Sequence, residues 1–326
     1  MRASTLRFAI LAALLAGALV PATAGAQAWP SRPVRLVVPF AAGGNTDAIG
    51  RIAAERLGAA LGQPFLVENR VGASGAIAAE FVAKSAPDGY TFFVGATPNI
   101  LVVPLVSKVN YDGQKDFVPV AIVATNPFVL GIHPSLPART LREFVDYVKA
   151  RPGQLNYGSG GTGSIGHLSG ALLLSRAGVS MTHIPYKGGA PAVADLVGGQ
   201  IQMYFGNASE LIPHMRGGKV RVLGVSSEKR AREVPEVPSI AETYPGFHTY
   251  TWNGLFAPAG TPRAIVERVA QEVVRMVKDP VVVDRIHKIG SDPSGVALEE
   301  LTELIRKEQP MWAEAVKAAG LRPGAD

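Results

Sequence analysis

The chain has no cysteine, which excludes disulfides, thiol nucleophiles and Cys-ligated metals. Charge is sparse, with Asp, Glu, Lys and Arg making up 18% of 326 residues. The basic residues are scattered, apart from Arg230 and Arg232 in one polar stretch. Without a basic stripe or interleaved aromatics, no nucleic-acid partner is expected. The formal charge of +6 supports only a mild bias toward anionic ligands. Metal-ligand spacings are missing too. His133, His167, His183, His214, His248 and His287 form neither H-E-x-x-H nor H-x-H, so each reads as a surface, capping or core histidine. Neither Ser159 nor Ser164 sits in G-x-S-x-G, because position −2 is Tyr157 or Thr162. The acid pair Glu299-Glu300 reads as solvated charge on a helix. No catalytic residues, no metal site and no cofactor are expected.

The one long apolar run is at the start. Arg2 and Arg7 precede an apolar segment from Phe8 to Val20, followed by Pro21 and small residues from Ala22 to Ala28. Ala24-Gly25-Ala26 and Ala26-Gln27-Ala28 both fit an A-x-A cleavage site. This is the order of a cleavable secretory signal, and the run falls short of the roughly 20 residues of a spanning helix. Residues 1–28 are therefore expected to be removed on export to the periplasm. Without Arg2 and Arg7 the formal charge falls from +6 to +4. Hydrophobic content of 47% is ample for packed cores, and the remaining length suits two domains of roughly 100–200 residues each.

Short β-branched runs alternate with helical patterns, as in βαβ units around a parallel sheet. Strands are expected at Val34–Val38, Phe65–Val67 and Thr91–Val94, with helices at Thr46–Leu61 and Ala76–Lys84. The first helix places Ile49, Ile52, Ala53, Leu57 and Ala60 on one face. Val118 to His133 reads as extended but is interrupted by Asn126-Pro127, and Pro127 excludes an uninterrupted central strand. A second set follows: helices at Leu141–Ala150, Ser164–Ala177 and Ala190–Val197, and strands at Leu155–Tyr157, Met181–Ile184, Ile201–Phe205 and Val220–Val225. After a polar loop, Tyr250–Pro258 is extended. Ala264–Lys278 is a helix with a Val266, Val269, Val273, Val277 stripe, and Leu298–Ala319 is one long helix or two kinked at Pro310. Two crossings, near 126 and 252, predict an α/β protein of two lobes joined by a two-strand hinge. Residues 29–125 plus 253–326 would form lobe 1 and 126–252 lobe 2, with the terminal helices packed on lobe 1.

Two glycine-rich turns run from a strand into a helix. The first spans Pro39 to Asp47 and the second Tyr157 to Ser164. Glycine allows close backbone approach to a ligand, and a helix start carries unpaired N–H groups and the positive end of the dipole. Each turn could therefore cradle an anion. Thr46, Asp47 or Ser164 could equally serve as ordinary helix caps. Within the second turn, Gly161-Thr162-Gly163-Ser164-Ile165-Gly166 matches G-x-G-x-x-G. A dinucleotide site also needs an acid at the end of the next strand. Here His183-Ile184-Pro185-Tyr186-Lys187 supplies none.

Read as an ordered set, these segments resemble the tripartite tricarboxylate transporter substrate-binding proteins, the Bug family of periplasmic receptors. The resemblance rests on Trp29-Pro30, Pro39 to Asp47, Val67-Glu68-Asn69-Arg70, Ala86 to Thr91, and Tyr157-Gly158-Ser159 with the glycines after it. It continues through Ile184 to Gly189, Gly198-Gly199-Gln200 and Gly254 to Pro262. It implies a bilobed periplasmic-binding fold of the type II, Venus-flytrap kind. It also implies that the turns grip one carboxylate of a small organic acid through backbone N–H groups and bridging waters. Phe40, Ala42, Gly43, Gly44 and Asp47 would serve in one lobe; Ser159, Gly161, Thr162, Gly163 and Ser164 in the other. Many relatives carry Asp-Asn after the strand at Ile201–Phe205. This chain has Gly206-Asn207, so Asn207 carries over as a ligand contact and the acid does not. Thr97 and Trp252 are weaker candidates for the cleft wall, and Trp252 could equally be a hinge-packing residue. The implied partners are a small carboxylate and the permease subunits of a tripartite transporter, with the receptor a monomer. A sensory receptor with the same cleft, or a secreted enzyme, remains the alternative.

Overall fold

The computed structural model describes residues 29–322, so the expected leader, residues 1–28, lies outside the described residues. Two sheets organise the chain. The first has the order β11-β4-β10-β3-β1-β2, built from β1 (Val34–Val38), β2 (Phe65–Asn69), β3 (Thr91–Ala96), β4 (Phe117–Asn126), β10 (Thr251–Pro258) and the short β11 (Asp292–Pro293). The second has the order β7-β6-β8-β5-β9, from β5 (Phe128–Ile132), β6 (Asn156–Ser159), β7 (Thr182–Pro185), β8 (Met203–Asn207) and β9 (Arg221–Val225). Only Pro127 separates β4 from β5. Lacking an N–H, it ends one ladder and lets the next begin at a new angle. The return passes from β9 through residues 226–250 into β10.

Alternation decides which face of each strand meets which helices. Val34, Leu36 and Val38 of β1 pack with Ile49, Ile52, Ala53 and Leu57 of α1 (Asn45–Leu61), and with Val266, Val269 and Val273 of α8 (Arg263–Met276). Val37 points the other way, into a second cluster with Phe93, Ile122, Phe256 and α2 (Ala76–Ala83). The valine stripe of α8 is buried throughout, Val277 included. Ala60, expected on the core face of α1, is exposed, and Leu61 is buried beside it. The last turn presents Leu61 because the larger side chain removes more apolar area from water.

Three departures from expectation concern the helices. Helices α7 (Ala208–Arg216) and α9 (Pro280–Lys288) were not expected, and the chain after β3 winds through a wide turn, Pro98–Val102, into α3 (Val103–Val106). The segment Leu298–Ala318 is one continuous helix, α10, despite Pro310. It does not pack on the first sheet alone. It lies against β4 and also against α5 (Ile165–Ala177). Trp312 and Ala315 join the apolar cluster that holds Phe93 and Trp252 of the first sheet and Leu168, Leu172 and Phe205 of the second unit.

Candidate functional site

Strand registers fix where the two turns lie. Strands β1 and β3 run parallel, with Val37 beside Phe93. Strand β10 runs antiparallel to β3, with Asn253 beside Ala96, and pairs Thr251 with Asn126, the last residue of β4. The carboxyl ends of β1 and β3 therefore share the sheet edge where the chain crosses. In the second sheet, β5 opens at Phe128 opposite Asn207, the end of β8, and β6 runs parallel to β8. The carboxyl end of β6 is likewise on the crossing edge. Both turns and Asn207 thus sit at strand ends on the side of each sheet where the chain crosses from β4 to β5. The carboxyl ends of strands are the usual ligand-binding edge of open α/β sheets.

The first turn is braced by one carboxylate. Asp47, in the first turn of α1, is almost fully buried. Its Oδ2 accepts from the Gly43 N–H and from Arg51 Nε, both at 2.9 Å, and its Oδ1 accepts from Asn69 Nδ2 at 2.9 Å. Asn69 also donates to the Phe40 carbonyl at 2.9 Å. Burial pushes the Asp47 pKa up, but these hydrogen bonds outweigh it and hold the carboxyl below its ordinary value. Gly43 takes φ +86, a conformation open to glycine at little cost. Ala41 to Asn45 are exposed and Phe40 is half-buried.

The second turn is braced at the same relative position by an imidazole. Gly163, φ +75, donates its N–H to His167 Nδ1 at 3.0 Å, four residues on. The His167 N–H in turn meets the Ser164 cap oxygen at 3.3 Å. The His167 ring stacks on His183 with centroids 3.7 Å apart and planes 7° from parallel. His183 Nε2 lies 2.7 Å from Ser159 Oγ, which also bonds the Gly161 N–H and carbonyl at 3.2 and 3.0 Å. Burial, with His183 adding to it, pushes His167 down to about 4, and burial also lowers His183. Both rings are therefore neutral at pH 7. The expectation of capping or core histidines holds for this pair, but they shape the turn, which sequence spacing did not show.

Most of the glycine donors are thus spent on shape. Gly44 N–H reaches the Ala41 carbonyl at 3.4 Å, and Ser164 N–H the Gly161 carbonyl at 3.1 Å. The N–H groups without a partner among the described residues include those of Asn45, Thr46 and Asp47 in α1 with Ala41 and Ala42 before it, and of Gly160, Thr162, Ile165 and Gly166 at the second turn. Those of Asn45, Thr46, Asp47, Ile165 and Gly166 are first-turn donors, which no helix can satisfy internally, and the others belong to the loops before the caps. Asn45, Thr46, Ile165 and Gly166 were missed, although their place just after each cap was the available signal. Asn207 is half-buried, and its side-chain amide makes no hydrogen bond among the described residues.

Behind the first turn a partly buried polar network runs from Asn45 and Thr46 to the crossing strands. Thr46 Oγ1 bonds Asn253 Oδ1 at 2.8 Å, Asn253 Nδ2 bonds Asn45 Oδ1 at 3.0 Å, and Asn45 Nδ2 bonds Ser291 Oγ at 2.8 Å. Ser291 Oγ bonds Asn126 Oδ1 at 2.5 Å. Thr97 and Trp252 are both fully buried: Trp252 donates its N–H to Thr97 Oγ1 at 3.0 Å and its Nε1–H to Glu308 at 3.0 Å. They pack the hinge and present no surface to a cleft. A concavity of about 550 Å³ lined by Arg32, Arg35 and Lys84 lies elsewhere, between α2 and the starts of β1 and β3. Its cations face their own acids, Arg32 with Asp88 at 3.0 Å and Arg35 with Glu68 at 3.6 Å.

The sequence model of the tripartite tricarboxylate transporter family receptor matches residues 49–321. The chain belongs to this family. Family members are periplasmic solute-binding receptors rather than enzymes, and the chain's two-sheet α/β architecture is that of their bilobed type II fold. Protein BugT of Bordetella pertussis is 34% identical over 317 residues, covering 96% of this chain and 97% of that one. A Rhodopseudomonas palustris protein, Rpa4515, solved with adipate, is 37% identical with a TM-score of 0.76, covering 90% of this chain and 99% of that one. MatC from the same organism, solved with bound malate, is 35% identical with a TM-score of 0.71, and covers 88% of this chain and 100% of that one.

Proposed function

We propose that this receptor captures a small organic carboxylate in the periplasm and delivers it to the permease subunits of a tripartite tricarboxylate-type transporter. The observation that carries the reading is the pair of braced turns at strand ends beside the crossing, each leaving first-turn N–H groups free. Such donors favour an anion without a cationic side chain, at roughly 0.3–1 kcal/mol per helix end and up to about 2 when partly buried. Adipate and malate in the two R. palustris relatives are acids of the matching kind. In this reading the free donors of Asn45, Thr46, Thr162, Ile165 and Gly166 hold one carboxylate. Gly43, Gly44, Asp47, Ser159, Gly161, Gly163 and Ser164 shape the two cradles, Phe40 and Ala42 line the first, and Asn207 reaches the rest of the ligand. The signal segment 1–28 is removed on export, and the mature monomer closes as lobe 1 (29–125 with 253–326) swings toward lobe 2 (126–252), a hinge motion.

A thermal-shift screen tests this. A ligand at 100-fold excess over its dissociation constant stabilises the native state by about 2.7 kcal/mol. At roughly 2–4 °C per kcal/mol, Tm should rise by roughly 5–10 °C with one or more small mono-, di- or tricarboxylates. NAD, nucleotides and neutral sugars should leave it unchanged. A strong shift with NAD, or chemical conversion of the hit on incubation, would restore an enzyme. Small-angle scattering with the hit should show a smaller radius of gyration; an unchanged curve at saturation would mean a preformed pocket.

A further inference from the structure

We propose that His167 is the positioning residue of the second turn: its neutral ring, stacked on His183, holds Gly163 in the anion-accepting shape, so that acidification opens this turn and leaves the first one closed. The ligand consequence rests on the carboxylate reading above; the effect on the turn does not.

The geometry is specific. An amide N–H can only donate, so His167 Nδ1 must accept and the ring proton of the neutral form sits on Nε2. Adding a proton to Nδ1 would set two donors against each other at 3.0 Å. The Gly163 N–H would then have to turn away, and Gly163 at φ +75 has room to do so, with no atom closer than 3.9 Å to a Cβ built there. A cation at this place would also stand at the positive end of the α5 dipole.

The groups facing the ring are few. From β7 comes His183, stacked at 3.7 Å. From β6 come Ser159 and Tyr157, whose ring lies 6.2 Å from that of His167 and whose hydroxyl is kept protonated by burial. Strand β8 turns the apolar Met203 and Phe205 toward α5, and its Tyr204 lies on the opposite face, bonded to Glu210 at 2.9 Å. From α10, Glu314 bonds Arg176 at 2.9 Å, nine residues further along α5, and Glu308 bonds Trp252. Among the described residues no carboxylate bonds the imidazole pair to support a charged form. Asp47 at the equivalent place holds its turn as an anion with Arg51 and Asn69 as partners, so it does not let go near neutral pH.

Two measurements decide the matter. In the unliganded protein, NMR follows the Gly43 and Gly163 amides and the His167 ring nitrogens from about pH 7.5 to about pH 3.5. The Gly163 amide should move with the His167 ring and lose roughly tenfold or more of its exchange protection, while Gly43 stays put. His183→Gln should shift the His167 midpoint upward, toward the ordinary histidine range. A Gly163 amide indifferent to the ring, or a Gly43 amide moving with the same midpoint, would overturn the proposal. Calorimetry with adipate and malate then compares folded variants at one pH, which cancels protonation of the acids themselves. H167L should bind roughly tenfold more weakly, as expected for one lost hydrogen bond in a binding loop. H167N, with an oxygen in place of Nδ1, should recover most of that loss. Equal weakening of both variants, or tighter wild-type binding relative to H167N on acidification, would make the ring a direct contact and sink the positioning role. If the wild type takes up neither acid near neutral pH, the carboxylate reading fails for these probes, and the amide titration alone decides the part played by His167.

Discussion

The two glycine turns are the same device built twice with different chemistry. In each, the residue four positions after a left-handed glycine accepts that glycine's N–H: Asp47 for Gly43 and His167 for Gly163. The first turn uses a carboxylate whose charge is answered by Arg51 and Asn69. The second uses an uncharged ring backed by a second ring. A charged brace needs partners and, with them, survives over a wide pH range. A neutral brace needs only packing, but works only while it stays unprotonated. One lobe is therefore fixed and the other is conditional.

The strongest way to break this comparison is acid. His167 stays neutral in the fold down to about 4, while the unfolded ring takes up a proton near 6.5. The native state thus binds fewer protons, and the stability it gains is complete above about pH 6.5 and is lost as pH falls toward 4. The loss is at most about 3.5 kcal/mol at about 1.4 kcal/mol per pH unit. Glu308 works against it. Buried beside Trp252, its carboxyl is pushed up to about 7, mainly by burial, despite the hydrogen bond from Trp252 Nε1. It therefore destabilises the fold as pH rises from about 4.5 to about 7, and acidification relieves it. Denaturant titration of Glu308→Gln should show a steeper acid loss than the wild type. Equal slopes would mean that Glu308 does not titrate as argued, since His167 contributes alike to both proteins.

Removing the brace of the fixed turn comes next. Asp47→Ala leaves Gly43 and Asn69 donors without their acceptor and should cost about 2 kcal/mol, with little pH dependence of that cost between about 5 and 8. A loss confined to acid pH would erase the distinction between the turns. A smaller effect tests their likeness. Gly43→Ala and Gly163→Ala meet no close atom, so each should cost only the left-handed backbone penalty of about 1 kcal/mol. A difference much larger than that between them in thermal denaturation would show that the backbones are not equivalent. The smallest change expected is from Arg51→Ala, because the Arg51 side chain is half exposed and water can replace it. Its melting curve should nearly overlay the wild type, while ligand affinity stays the same.

Strands and their order were legible because alternation and β-branching act locally. Val34–Val38 and the Val266, Val269, Val273 stripe lie where their patterns put them. Helices α7 and α9 were not legible: the first carries Pro213 in its interior and the second opens on Pro280, and each has only a short buried stripe. The final helix kept its length through Pro310 because its apolar face packs on both halves of the chain.

By itself the sequence determined that this is an α/β chain with one interruption at Pro127, two strand-to-helix glycine turns and neither the G-x-S-x-G nor the H-E-x-x-H spacing. Those properties follow from side-chain period, from the missing N–H of proline and from which residue types are present at all. Only the tertiary structure decided that the glycine N–H groups are consumed in shaping the turns, that Asn45, Thr46, Ile165 and Gly166 keep free donors, and that Trp252 is a hinge residue. It alone brought His183 onto His167 from a strand sixteen residues away in sequence. Stacking, burial and the choice of accepting nitrogen depend on neighbours in space, and no spacing along the chain encodes them.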